Sequence, residues 1–208
     1  PMSDYESYFT YIVRDHQTVE TDQYLTDEFS DEAVDFVKRN QDKPFFLFLS
    51  YNAPHLPLEA TEEYLSRFNH IEDPKRRTYA AMVSAVDDGV GELLATLDEL
   101  GIEDDTIIFF LSDNGGVSKK NASNNKPLRG QKGDIWEGGF RVPMAARWPS
   151  AFKARIVYDL PVISMDIFAT IAGLNNAPAN QGRPLDGVNL VPFVNGEDTG
   201  VPHEAIYL

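Results

Sequence analysis

The sequence predicts an α/β fold in which helices cover a sheet. Two runs, Phe45–Leu49 and Thr106–Leu111, are continuously apolar, the pattern of strands buried on both faces. Segments of helical period lie around them, and helices alternating with buried strands build a layered sheet.

The first 25 residues, rich in Tyr and Asp, have no clear period and are expected to form an irregular lead-in. From Thr26 to about Asn40, Phe29, Ala33, Phe36 and Val37 recur at helical spacing. Acids stand in the first turn and Lys38-Arg39 in the last, complementing the helix dipole. Pro44 bounds the first strand, and a Pro-punctuated loop, Asn52 to Pro57, follows it. A short acidic helix is expected near Glu62–Phe68. The longest helix runs from about Pro74 to Leu100, where Tyr79, Met82, Val83, Val86, Val90, Leu93, Leu94, Leu97 and Leu100 trace one apolar stripe. Gly101 is its expected stop. The turn Glu103-Asp104-Asp105 leads into the second strand. After a long polar, Gly-rich loop, Val142–Trp148 is a third, weaker strand, and Ser164–Gly173 a final short helix with Ser164 as N-cap.

The chain has 208 residues, enough for one domain, or one and a fraction, with a sizeable core. Hydrophobic residues make up 42% and aromatics 12%, which excludes an intrinsically disordered chain. Cysteine is absent, so there is no disulfide framework, no Cys-based zinc site and no thiol nucleophile. Lys and Arg number 18 against 33 Asp and Glu, and the net charge of −15 argues against binding nucleic acid or anionic membrane. No stretch reaches the roughly 20 apolar residues of a membrane span, and no signal peptide is visible. The chain opens on Pro1-Met2 and stops inside the apolar Ala205–Leu208, so it is expected to be a piece of a longer protein.

Ligands collect at the carboxyl ends of strands in α/β sheets. The first strand is followed by Ser50-Tyr51-Asn52-Ala53-Pro54-His55 and the second by Ser112-Asp113-Asn114-Gly115-Gly116. Were the two strands parallel, His55, Asp113 and Asn114 would emerge on one edge. A carboxylate beside an amide oxygen is a hard donor pair suited to Ca²⁺ or Mg²⁺, although Asp-Asn-Gly also reads as a simple turn. The loop that follows holds Lys132 between Gly130-Gln131 and Gly133, a compact positive charge on a backbone able to approach an anion; the alternative is a solvated surface lysine. Within the same loop Glu137 and Arg141 could pair, and Trp136 and Phe140 could pack. His16, His70 and His203 lie in polar stretches and receive no role. Asp87-Asp88 and Asp104-Asp105 read as structural, and Asn121-Ala122-Ser123 as a chance match to a glycosylation sequon.

Taken together these segments resemble the type I sulfatases, the formylglycine-dependent branch of the alkaline-phosphatase-like superfamily. The matching pieces are Tyr24–Asp27, Lys43–His55, Asp88–Gly91, Ser112–Gly116, Leu128–Gly133, Glu137–Pro143 and Asp186–Val188, in family order. Overall they lean towards the arylsulfatase and N-acetylgalactosamine-6-sulfatase style. The resemblance implies an alkaline-phosphatase-like α/β/α layered sheet of which this chain is the second half. Residues 26–175 would be its core and 176–208 a run-in to a C-terminal subdomain.

By the same resemblance, Asp113 and Asn114 are two ligands of a single divalent cation, Ca²⁺ or sometimes Mg²⁺. His55 contacts the sulfate ester and helps protonate the leaving alkoxide, and Lys132 holds the sulfate and its bridging oxygen. The family nucleophile is a formylglycine made from a Cys or Ser in a Cys/Ser-x-Pro-x-Arg motif. Neither that motif nor the acidic pair completing the metal site is in this sequence, so the parent is the expected enzyme and the isolated chain is expected to be silent. Expected substrates are sulfated small molecules or glycans, a sulfated carbohydrate foremost. The expected compartment is periplasmic, extracellular or lysosomal. A two-zinc phosphodiesterase typically carries Asp-His where this chain has Asp113-Asn114, so the amide favours one hard ion. A phosphonate hydrolase of the same superfamily and a non-catalytic sulfatase-like remnant are the remaining alternatives.

Overall fold

The computed structural model describes residues 12–177 and 182–207 as a mixed α/β chain. Of the expected lead-in, residues 1–11 lie outside the described residues, as do 178–181 and 208 of the expected run-in. The chain divides into two compact units, residues 1–102 with 114–141 and residues 103–113 with 142–208.

The first unit opens with a hairpin where an irregular stretch was expected. Strands β1 (Ile12–Arg14) and β2 (Gln17–Val19) pair antiparallel, with Arg14 opposite Gln17. Asp15 and His16 turn between them at φ 47° and 70°, the left-handed pair a two-residue hairpin needs. Strands this short carry no readable alternation. Arg14 then reaches Glu28 and Glu32 of α1 (Leu25–Asn40).

Helix α1 packs on α3 (Pro74–Glu99), with α2 (Glu62–Ser66) alongside. Asp73 caps α3 by accepting the Arg76 N–H at 2.7 Å, and Pro74 occupies the first turn, where no partner for an N–H is lost. The far end closes as a Schellman motif: Ile102 N–H bonds Leu97 carbonyl at 3.0 Å, Gly101 N–H bonds Asp98 carbonyl at 2.9 Å, and Gly101 takes φ 67°. The buried face of α3 is Ala81, Met82, Ala85, Val86, Gly89, Thr96 and Leu97, while Val83, placed on the expected stripe, is exposed. On α1 the buried set is Thr26, Ser30, Ala33 and Val37, with Phe29 and Phe36 half-buried. Gly89 marks the tightest point, where a Cβ would stand 2.0 Å from Ser30 Oγ and 2.7 Å from the Tyr51 hydroxyl.

Tyr64 of α2 is buried against Ala81 and Ala85 and donates to Asp27 Oδ1 at 2.8 Å. Burial, then the Asp27 carboxylate beside it, holds the Tyr64 phenol far above its usual range. Arg67 lies 4.6 Å from the Tyr64 ring and pairs with Asp88 at 2.7 Å, so Asp88 is structural, as expected.

Residues 45–49 are extended but carry no strand ladder among the described residues. Phe45 packs edge-on against Phe36 at 5.9 Å, whereas Phe46 and Phe48 are each 79% exposed. The doubly buried strand expected here is therefore covered on alternate residues only. Two further single turns, α4 (Ser118–Asn121) and α5 (Glu137–Phe140), complete this unit.

In the second unit a 3₁₀ turn (Glu103–Asp105) precedes β3 (Ile108–Leu111), which pairs antiparallel with β4 (Met144–Arg147). The ladder runs from Ile108 opposite Arg147 to Leu111 opposite Met144, and no parallel partner is present among the described residues. Phe110 is 50% exposed, so this strand too is less buried than its sequence predicts. Arg147 pairs with Glu103, and Trp148 Nε1 donates to the Asp104 carbonyl at 2.9 Å.

Helix α6 (Met165–Leu174) is organised by Asp166, which is fully buried. Its carboxylate accepts the Ile163 and Val188 N–H groups, both at 2.8 Å, and meets His203 Nε2 at 2.9 and 3.0 Å. Ser164, the expected N-cap, makes no capping bond; Asp166 instead ties the segment before α6 and the Val188 segment to the helix. Thr170 Oγ1 accepts the Leu190 N–H at 3.0 Å, holding the start of α7 (Val191–Val194) on α6. No described helix is long and apolar enough to cross a membrane.

Two outcomes follow from this packing. Gly89→Ala, normally favourable inside a helix, should instead destabilise by about 1–3 kcal/mol through overpacking, read as a lower urea midpoint. Asp166→Ala should cost about 3–5 kcal/mol, because two buried N–H groups and His203 lose their acceptor at once. An unchanged midpoint in either variant would contradict the packing described.

Candidate active site

The loops after Asp113 have little regular structure, and backbone contact between glycines holds them. Gly115 N–H bonds the Gly139 carbonyl at 2.9 Å, and Gly138 N–H bonds the Arg129 carbonyl at 2.7 Å. A Cβ on Gly115 would fall 1.8 Å from the Gly138 oxygen, and one on Gly138 would fall 2.5 Å from the Gly130 oxygen. Three chain segments therefore touch backbone to backbone. Asn125 closes the arrangement: its Oδ1 accepts Gly116 N–H at 3.0 Å, and its Nδ2 donates to the carbonyls of Gly116 at 2.8 Å and Gly130 at 3.0 Å.

Lys132 stands on a tight turn anchored in this cluster. Asp134 N–H bonds the Gln131 carbonyl at 2.9 Å, and Gly133 supplies the positive φ of 86° that the third turn position requires. Asp134 Oδ2 accepts the Gln131 N–H at 3.1 Å and closes the turn a second time. Lys132 itself is exposed and forms no ion pair among the described residues. Arg129 is withdrawn from the same loop by stacking 3.8 Å over Trp136, so Trp136 serves a cation rather than Phe140. The expected Glu137–Arg141 pair forms at 2.9 Å.

His55 ends a turn whose N–H returns to the Asn52 carbonyl at 2.8 Å. Its Nδ1 lies 2.7 Å from the Leu56 carbonyl, which can only accept. Nδ1 therefore carries a proton, and Nε2 of this exposed ring is the nitrogen that can gain or deliver one.

Asn114 opens the glycine cluster, half-buried, with Nδ2 donating to the Gly115 carbonyl at 3.1 Å. That bond fixes which way the amide presents its oxygen. Asp113, exposed, closes the stretch 103–113 of the second unit. The chemistry of the pair fits a hard cation. Among the described residues, however, no three His, Cys, Asp or Glu side chains group as a metal site. One carboxylate and one amide oxygen are two or three of the six to eight oxygens Ca²⁺ takes, so these residues fit part of a shell.

The structure thus brings the segments of Asn114 and Lys132 into one loop cluster, while His55 stands on a different loop. Asn125 was not foreseen, because Asn-Asn-Lys-Pro reads as ordinary turn composition. The sequon is excluded as an exposed acceptor: Asn121 and Ser123 are both buried, and Asn121 Oδ1 accepts the Ser123 N–H at 3.1 Å.

Comparison with known proteins gives the family of the chain. The Sulfatase family model matches residues 2–177. Human steryl-sulfatase is 36% identical over 190 residues, covering 88% of this chain and 32% of that protein. Dog N-acetylgalactosamine-6-sulfatase is 35% identical over 178 residues, covering 83% and 33% respectively. The crystal structure of Ps i-CgsB in complex with k-i-k-neocarrahexaose superposes with a TM-score of 0.86 at 44% identity, covering 90% of this chain and 42% of that one. The layered alkaline-phosphatase-like fold expected from the sequence is the fold of these neighbours. The chain spans about a third of the length of the curated relatives it matches. It belongs to the sulfatase family.

Proposed function

We propose that this chain is the second half of the catalytic domain of a sulfuric ester hydrolase, and that the parent protein cleaves a sulfated carbohydrate. The observation that carries the reading is the loop cluster itself: it holds the Asn114 amide and the Lys132 turn on one glycine framework. In this reading Asp113 and Asn114 give hard oxygens to a divalent cation, Ca²⁺ or Mg²⁺, whose charge would draw electrons from the sulfuryl group. A formylglycine outside this chain would supply the nucleophile. Lys132 would neutralise charge on the sulfate and on the bridging oxygen as the S–O bond breaks. His55, with Nδ1 tied to Leu56, would deliver the Nε2 proton to the departing alkoxide. The solved relative in complex with k-i-k-neocarrahexaose supports a carbohydrate as the alcohol. On the family resemblance, the compartment is periplasmic, extracellular or lysosomal.

The test is made on the intact parent enzyme. Lys132→Ala should lower kcat/KM for 4-nitrophenyl sulfate by about 10²–10³. His55→Ala should reduce kcat by about 10²–10⁴ for an alkyl sulfate, whose leaving group needs an acid, and far less for the nitrophenyl ester. Chelation should abolish turnover, and Ca²⁺ should restore it. Sulfate release at the wild-type rate by Lys132→Ala, or preferential hydrolysis of a phosphonate or phosphodiester, would overturn the proposal. The 208-residue chain alone should release no sulfate, because its sequence holds no Cys/Ser-x-Pro-x-Arg motif.

A further inference from the structure

The chain carries a net charge of −15, yet its cations are unevenly spread. Between Asn114 and Gly133 stand Lys119, Lys120, Lys126, Arg129 and Lys132, with no acid among them. The first turn of α3 adds Lys75, Arg76 and Arg77. Two hollows on the first unit are lined by five of these eight charges. One, of about 580 Å³, is lined by Arg76, Asn124, Asn125 and Lys126 and reaches Gly130. The other, of about 610 Å³, is lined by Lys75, Lys119 and Lys120 and reaches Leu56. The first turn of α3 contributes to both, and Arg76 fastens it to the basic loop by donating to the Ala122 carbonyl at 3.0 Å.

Compensation from acids is partial. Among the described residues, none of Lys75, Lys119, Lys120 and Lys126 forms an ion pair. Asp73 lines the first hollow and the Asp134 carboxylate stands beside Gly130 on its rim, whereas the second hollow is lined by Lys75, Lys119 and Lys120 with no acid. Like charges held together without counter-charges repel, and an anion relieves that repulsion. Neither lining includes Lys132 or His55, but each reaches a residue close to one of them in the chain. Gly130 lies two residues before Lys132, and Leu56 supplies the carbonyl that orients His55.

We propose that the two hollows form a basic groove for negative groups flanking the scissile ester, so that the natural substrate is a multiply sulfated glycan rather than a compound with a single sulfate. The proposal rests on the sulfuric ester hydrolase reading above and adds the recognition of neighbouring sulfates. Lys119, Lys120 and Lys126 act by binding and have no part in bond cleavage.

In the intact parent enzyme, the triple variant K119Q/K120Q/K126Q tests this, since all three side chains are exposed and their exchange leaves the fold intact. For a disulfated tetrasaccharide KM should rise about tenfold with kcat unchanged, the size expected of a few exposed charge contacts. For 4-nitrophenyl sulfate neither constant should move. An unchanged KM for the tetrasaccharide, or an equal loss with both substrates, would overturn the groove. Calorimetric binding of the same tetrasaccharide separates this failure from that of the hydrolase reading. If no sulfate is released from either compound yet the triple variant binds about tenfold more weakly, the chemistry fails and the groove stands. Equal affinity, or no binding by either protein, overturns it.

Discussion

Backbone contact at Gly115 and Gly138 is the constraint on which the loop cluster depends. Loops that lack a ladder or a helix must find partners for every buried N–H and carbonyl, and here they find them in one another. That is possible only where no Cβ intervenes; at Gly115 the space for one is taken by the Gly138 oxygen. Asn125 follows from the same closeness. One amide can bridge Gly116 and Gly130 because the glycines have already brought those strands of chain within its span. A site made from loops gains its precision from such supports, and electrostatic catalysis needs that precision because donors must be aimed before charge develops.

The helices of the first unit obey a related rule. At Gly89 the contact between α1 and α3 leaves no room for a side chain, while Val37, Met82, Val86 and Leu97 are buried along with the small residues Ser30, Ala33, Ala81 and Ala85. Gly89 is consequently a packing residue, and the Ser30–Tyr51 hydrogen bond at 2.9 Å occupies the volume its side chain would need.

Much of this was readable in the sequence, and what was not has identifiable causes. Helices of long period and clear caps, α1 and α3, begin and end within a residue or so of expectation. The Schellman close at Gly101 needs only one glycine in the right place. The continuous apolar runs are less covered here than their composition predicts, in a chain that spans about a third of the length of its curated relatives. Phe46 and Phe48 accordingly lie exposed, and β3 pairs antiparallel with β4. Long-range polar partnerships left no local trace at all: Asp166 and His203 are 37 residues apart, and neither stands in a motif. Among site residues, Lys132 was marked by its glycines and Asn114 by its neighbours, whereas Asn125 is defined only by what surrounds it in space.

A protein of net charge −15 repels a sulfate ester at long range, and salt shortens that repulsion to about 8 Å at physiological ionic strength. An anionic substrate must then be met by local positive charge within that distance. In the proposed reading the stretch from Asn114 to Gly133 provides it, with five cations and no acid, although Asp134, which follows, closes the Lys132 turn with its carboxylate. The acids of α1 and the 3₁₀ turn are meanwhile engaged in structure: Glu28 and Glu32 with Arg14, Glu103 with Arg147. Under the proposed function, net charge and substrate preference point in opposite directions, because long-range repulsion answers to the sum of all charges and recognition to the few within a Debye length of the ligand.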